Sequence, residues 1–240
     1  MKYGICFLVI SVLLLMTAFQ NGEWFCLLIW PALSFAIVGF GFVSIGPRVF
    51  GKSLQGIIRP IHLVFLLPYF VFLWLVWYAV RLFSSEGAID QLTEDIIIGR
   101  RLLSHELPQE VEHVIDLTCE FTEPKGLRAR SFYSFQILDG SAPRSDELQK
   151  WVAQIAGLRG RIYIHCAEGH GRTGLFAAAL LVYRGDFESW EDALQHVKSM
   201  RPRVSLSRSQ IEALQTFATN LKKRPSSGSL TQKKTSPQPP

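Results

Sequence analysis

The run His165-Cys166-Ala167-Glu168-Gly169-His170-Gly171-Arg172-Thr173-Gly174 holds residue types at a spacing suited to chemistry on an anion. An alternating stretch before it, Arg161 to Ile164, predicts a strand, and an apolar stretch after it, Leu175 to Tyr183, predicts a helix. A cysteine thus leaves a strand, glycines turn the chain, and an arginine opens a helix. Backbone N–H groups of such a loop converge on one point, where the helix dipole adds positive potential. The same field stabilises a thiolate, and a thiolate beneath a bound phosphate is a nucleophile aimed at phosphorus. Gly169 and Gly171 are read as allowing the backbone close to a ligand. Arg172 can grip two phosphate oxygens with its planar fork. Thr173 can set a hydroxyl near the sulfur and steady it as a leaving group.

Two plainer readings explain less. Zinc ligation by His165, Cys166 and His170 lacks a CxxC or HxxxH partner, and no metal is expected. An inert buried thiol leaves the glycines, arginine and threonine that follow it unexplained. Cys-x5-Arg-Thr, with the preceding His and trailing Gly, resembles the signature of the protein-tyrosine phosphatase superfamily. The resemblance to its compact dual-specificity members extends to Ile97-Ile98-Gly99-Arg100-Arg101, Val114-Ile115-Asp116-Leu117-Thr118 and Arg201-Pro202. No Asn-Arg-Tyr phosphotyrosine loop occurs, and the domain is too short for the larger tyrosine-specific relatives.

The resemblance implies site roles. Ala167, Glu168, Gly169, His170 and Gly171 form the phosphate-binding loop, with His165 supporting it and His170 on its rim. The general acid expected on a loop upstream of the cysteine is Asp139, followed by Pro143; Asp146, in the first turn of a helix starting near Ser145, is its rival. Cys119 lies where some relatives keep a cysteine that bonds the nucleophile, although an ordinary buried thiol is the stronger reading. Arg100 and Arg203 are read chiefly as structural or surface charges. The expected activity is hydrolysis of phosphomonoesters through a cysteinyl-phosphate, without cofactor. Phosphotyrosine proteins, and with them phosphoserine or phosphothreonine proteins, are the preferred substrates; a phospholipid head group is the alternative, and an inactive phospho-binding domain comes third. Ala167 and Glu168 replace the lysines expected for polyanionic inositides, and Glu168 would repel additional phosphates.

These residues need a scaffold. Residues 84–222 read as one α/β domain, with a mostly parallel central sheet flanked by helices on both faces. Strands are expected at Ile96–Ile98, Val111–Thr118 and Phe132–Leu138. Leu148, Trp151, Val152 and Ile155 form one helical core stripe, and Trp190, Ala193, Leu194 and Val197 another. Ser189 with Asp192, and Ser207 with Gln210, read as helix starts. The ligand belongs at the carboxyl ends of the strands, where Cys166 falls.

Ahead of the domain, residues 1–83 read as an α-helical transmembrane region of two or three helices. Its apolar stretches are Gly4–Phe19, Trp24–Ile45 and Ile61–Val80, of which the last two reach spanning length. The first stretch, after Lys2, is read as a retained helix rather than a cleaved signal. Lys2, Arg48, Lys52 and Arg59 favour the cytoplasmic side. Three full spans would then place the domain outside, whereas a reactive thiol places it in the cytoplasm, which is the side expected here. Residues 223–240 read as a disordered basic Ser/Pro tail. Membrane lipid is an expected partner. The net charge of +5 owes much to that tail, and no nucleic-acid partner is expected. Four irregularly spaced cysteines do not form a disulfide framework.

Overall fold

The computed structural model describes residues 2–20 and 23–223; of the tail expected at 223–240, Lys223 ends a helix and 224–240 lies outside the described residues. The N-terminal part runs from α1 (Lys2–Gln20) through a 3-10 turn at Glu23–Leu28 into α2 (Ile29–Phe40). A π-helical turn (Gly41–Ile45) and a 3-10 turn (Gly46–Phe50) follow, then α3 (Pro60–Phe65) and α4 (Leu67–Phe83). The α/β part contains β1 (Ile89–Gln91), β2 (Ile96–Arg100), β3 (Val111–Thr118), α5 (Lys125–Arg128) and β4 (Ser131–Ile137). It ends with α6 (Ser145–Ala156), β5 (Arg161–Cys166), α7 (Gly171–Arg184), α8 (Trp190–Met200) and α9 (Arg208–Lys223).

The five strands lie in the order β1-β2-β5-β3-β4, with β1 antiparallel and every other pairing parallel. β5 is therefore central, and Cys166 leaves its carboxyl end beside Arg100 of β2. Successive strand residues point to opposite faces. Ile96, Ile98, Ile115, Ile162 and Ile164 face one cluster with α6, α7, α8 and α9. α7 is apolar and buried along most of its length, as a helix enclosed by others must be. On the other face Ile97, Val114 and Tyr163 meet Leu102, Leu107 and Leu127. Helices thus flank the sheet unequally. The long helices share one face, and the loop after β2 with short α5 covers the other. The start signals at Ser189 and Ser207 do cap helices: Ser189 Oγ accepts the Asp192 N–H at 3.0 Å, and Ser207 and Gln210 bond reciprocally.

The apolar stretches also differ from expectation. Tyr3–Gln20 and Cys26–Phe50 are long and apolar enough to cross a membrane; Leu67–Phe83 is shorter. The first stretch thus reaches the length assigned to the third. The third is broken at Leu66, the junction of α3 and α4, with Pro68 at the start of the new helix, where its missing N–H costs nothing. Nor does α4 stand clear of the α/β part. Its Tyr69 and Phe70 join a core with Cys119 and Leu138, while Leu75, Leu82 and Phe83 face outward. Between α2 and α3 the chain doubles back, pairing Lys52 with Ile58, and drives Lys52 into the α/β part. There its buried ammonium pairs with Asp116 and donates to Thr118 O at 3.0 Å and Thr118 Oγ1 at 2.9 Å.

Candidate active site

Cys166 sits at the floor of a cavity of about 490 Å³, a size common for ligand sites. The turn after β5 wraps its loop around the sulfur, and the Gly169 N–H donates to Cys166 Sγ at 3.3 Å. Gly169 has φ +75°, and a Cβ there would lie 2.4 Å from the Gly99 carbonyl of β2. A Cβ on Gly171 would meet Gln210 at 2.9 Å. Both glycines therefore also make room for protein neighbours.

Arg172, in the first turn of α7, is fully enclosed. Its Nη1 and Nη2 donate to the Glu120 carboxylate at 2.9 and 2.8 Å, and Nη1 also donates to Ile137 O at 3.0 Å. Nη2 reaches Asp139 Oδ1 at 3.2 Å, while Nε keeps an unpaired hydrogen. Burial alone would lower the guanidinium's pKa; the negative charges of Glu120 and Asp139 outweigh it and hold the pKa well above its ordinary value. Burial likewise opposes the charge on Glu120, yet Arg172 overrules it and keeps that carboxyl below the usual range. The fork is therefore charged and fixed from behind.

Asp139 follows β4, lines the same cavity, and is 55% exposed on its side chain, so it can move. Asp146, its rival, lies in α6 and is not among the cavity's lining residues. Ser207 Oγ donates to Gly140 O at 2.9 Å and Gln210 Nε2 to Ser141 O at 3.0 Å, tying the Asp139 loop to the start of α9. Thr173 is buried, and its hydroxyl has no hydrogen-bond partner among the described residues, Cys166 included. His165 is enclosed, stacks on Tyr163 and places Nδ1 3.4 Å from Cys166 O. His170, on the rim, pairs with Glu86 at 2.7 Å. Ala167 and Glu168 line the cavity, and burial raises the Glu168 pKa.

Cys119 is buried on the far side of Glu120, bonded to Glu120 Oε2 and Ile137 O, each at 3.4 Å. Burial, then the Glu120 charge, push its thiol pKa well above the ordinary value. Asp116, Glu123 and His165 converge within 4.8 Å, but cations of the chain already serve the acids: Lys52 on Asp116, and Arg101 on Glu123 at 2.8 Å.

Four supporting residues were not assigned these roles from sequence. Glu120 aims Arg172. Arg201 donates to Gly169 O and Glu168 O, both at 3.0 Å, and holds the loop from below. Trp77 of α4 donates Nε1–H to Ala167 O at 3.3 Å. Lys52 neutralises Asp116 beneath His165. Only Arg201 carried a signal, the Arg-Pro pair already compared with the phosphatases.

Comparison with known proteins agrees with this geometry. Residues 105–220 match the family model described as the dual specificity phosphatase catalytic domain. Tyrosine-protein phosphatase CDC14 of Candida albicans is 25% identical over 108 residues, a match spanning 43% of this chain and 20% of that protein. The structure of Tk-PTP in its active form superposes with a TM-score of 0.50 at 22% identity, over 55% of this chain and 97% of that one. A mouse dual specificity phosphatase complexed with zinc tungstate gives 0.50 at 16% identity, over 58% and 93%. At these identities the superpositions speak for the fold alone. Residues 105–220 thus match the dual specificity phosphatase catalytic domain model, and the α/β part shares its fold with the solved phosphatase structures.

Proposed function

We propose that the chain is a membrane-anchored, cysteine-dependent phosphatase. The observation that carries this reading is the floor of the cavity: a cysteine sulfur receiving a loop N–H, beside a buried arginine whose charge is fixed by Glu120. Cys166 attacks phosphorus in line, forming an S–P bond as the P–O bond breaks, and Asp139 gives its proton to the departing oxygen. Asp139, now a carboxylate, takes a proton from water as that water attacks the cysteinyl-phosphate. Phosphate leaves, and Thr173 steadies the returning thiolate. Arg172 and the loop N–H groups hold the equatorial oxygens throughout, where most of the acceleration arises. The contact between Asp139 and Arg172 must open for the acid to reach a leaving oxygen, and the exposure of Asp139 permits this.

Two crossings fit the N-terminal part better than three. Tyr3–Gln20 extends about 27 Å as a helix, close to the hydrocarbon thickness. A hairpin of two spans returns the chain to the side where it began. Lys2, Arg48, Lys52 and Arg59 then share the cytoplasmic side with the catalytic part, which removes the conflict between charge and thiol chemistry. Phosphoprotein and phospholipid substrates share the chemistry above; the wall of the cavity separates them.

Cys166→Ser is expected to abolish turnover of p-nitrophenyl phosphate by the full chain in lipid nanodiscs. Acid quenching of the parent should trap phosphate on Cys166. Undiminished turnover by the variant would sink the scheme.

A further inference from the structure

The cavity has two unlike halves. Its floor is the phosphate loop. Its wall comes from the N-terminal helices: Tyr3 and Phe7 of α1, Phe42 just past α2, and Phe72, Val76 and Trp77 of α4. Tyr3 also lies against the Asp139 loop, since a Cβ on Gly140 would sit 3.0 Å from its ring. The two segments able to span a membrane thus both contribute residues to this cavity, and their outward faces, such as Val9, Val12 and Leu33, are apolar and exposed.

Resting on the cysteinyl-phosphate reading, we infer that the substrate is a lipid whose one phosphate is a terminal monoester joined directly to its apolar body, with that body lying against the wall of α1, Phe42 and α4. Two features select this class. A peptide would bring backbone N–H and C=O groups to the wall, where they need partners. The aromatic wall supplies few, and Ser207 and Gln210, which also line the cavity, are already engaged with the Asp139 loop. An alkyl chain needs none. Among the described residues Arg172 is the one Lys or Arg lining the cavity, beside Glu120, Asp139 and Glu168. A second phosphate near the first would meet carboxylates, which disfavours polyphosphorylated head groups.

The test uses the full chain in phosphatidylcholine nanodiscs with three probes: p-nitrophenyl phosphate, a phosphotyrosine peptide, and n-alkyl monophosphates from butyl to dodecyl. For the alkyl series, kcat/KM should rise up to about fourfold per methylene until the wall is covered. Dodecyl phosphate should outrun the peptide. Partitioning into the bilayer would also favour long chains, so Val76→Asn is compared with Leu75→Ser, which lies on the same helix facing outward and is 67% exposed. The rise should flatten in Val76→Asn and persist in Leu75→Ser. If Val76→Asn fails to turn over p-nitrophenyl phosphate, Phe72→Ala takes its place. A flat series, a peptide as fast as dodecyl phosphate, or an unchanged rise in the wall variant overturns the inference while leaving the catalytic scheme standing. Inert p-nitrophenyl phosphate with the parent protein instead overturns the scheme.

Discussion

Replacing Glu120 by glutamine keeps the side chain's shape and removes its charge. In the parent, two guanidinium nitrogens donate to Glu120 at 2.8 and 2.9 Å, and the Cys119 N–H donates to it at 2.9 Å. Glutamine offers one oxygen and turns an NH2 toward a group that is all donor. One charge-assisted bond is weakened and the other becomes a donor–donor contact. Such bonds contribute about 1.5–3 kcal/mol each, and losing one partner of a buried pair costs about 3–5 kcal/mol. A loss near 3 kcal/mol is therefore expected, a large share of the roughly 5–15 kcal/mol that holds a domain together. The fork also loses its rear support, so kcat/KM for p-nitrophenyl phosphate should fall on the order of 10²-fold, as when an oxyanion donor is removed. Thermal unfolding and steady-state kinetics of the full chain in nanodiscs read both effects. Because Arg172 depresses the Glu120 pKa, the stabilisation is complete above its ordinary 4.5 and disappears as pH falls through the folded value. The gap between parent and variant should narrow only in acid. A variant within twofold of the parent in kcat/KM, and equally stable at pH 7, would show that Ile137 O and the helix alone orient Arg172, refuting the argument.

Further outcomes follow from other contacts. Asp139→Asn should slow alkyl phosphates roughly 10²–10⁴-fold, and p-nitrophenyl phosphate much less, because an alkoxide needs its proton and a nitrophenoxide does not; equal losses on both would remove Asp139 as the acid. Lys52→Met should cost about 3–5 kcal/mol by stranding Asp116, and adding Asp116→Leu should recover most of it; a single variant as heat-stable as the parent contradicts this. Glu168→Gln should raise the melting temperature at pH 7 and lower KM. The raised Glu168 pKa means that its ionised form opposes folding, an effect absent well below pH 4.5 and growing as pH rises, so the gain should vanish in acid. Mild peroxide should leave Cys119 reduced, since its buried thiol resists ionisation; a Cys119–Cys166 bridge found by mass spectrometry would contradict that.

The features legible in the chain were local ones. Cys166 and Arg172 face one cavity because a strand, a tight turn and a helix start lie within seven residues of sequence. β3 followed its apolar run, and Ser189 announced α8 by its cap. The partners that tune the loop were not legible, because they come from far away: Glu120 is 52 residues from Arg172, Lys52 is 64 from Asp116, and Trp77 is 90 from Ala167. No periodicity couples such positions. β1 is three residues long and sits at an edge, too short for a pattern. The third apolar stretch was ambiguous for a different reason. A helix packed on a protein through Tyr69, Phe70 and Trp77 has the same composition as one surrounded by lipid, and only the contacts tell them apart.

The insertion of Lys52 sets a limit on protein engineering. A fragment beginning after Phe83 would keep Cys166, Arg172 and Asp139, yet it would carry an unneutralised carboxylate in its interior and an Ala167 carbonyl without the indole that now caps it. It would also bare Cys119 and Leu138 to water. Such a truncation should express poorly or precipitate. These contacts tie the N-terminal helices to the α/β part, so the two are expected to fold together.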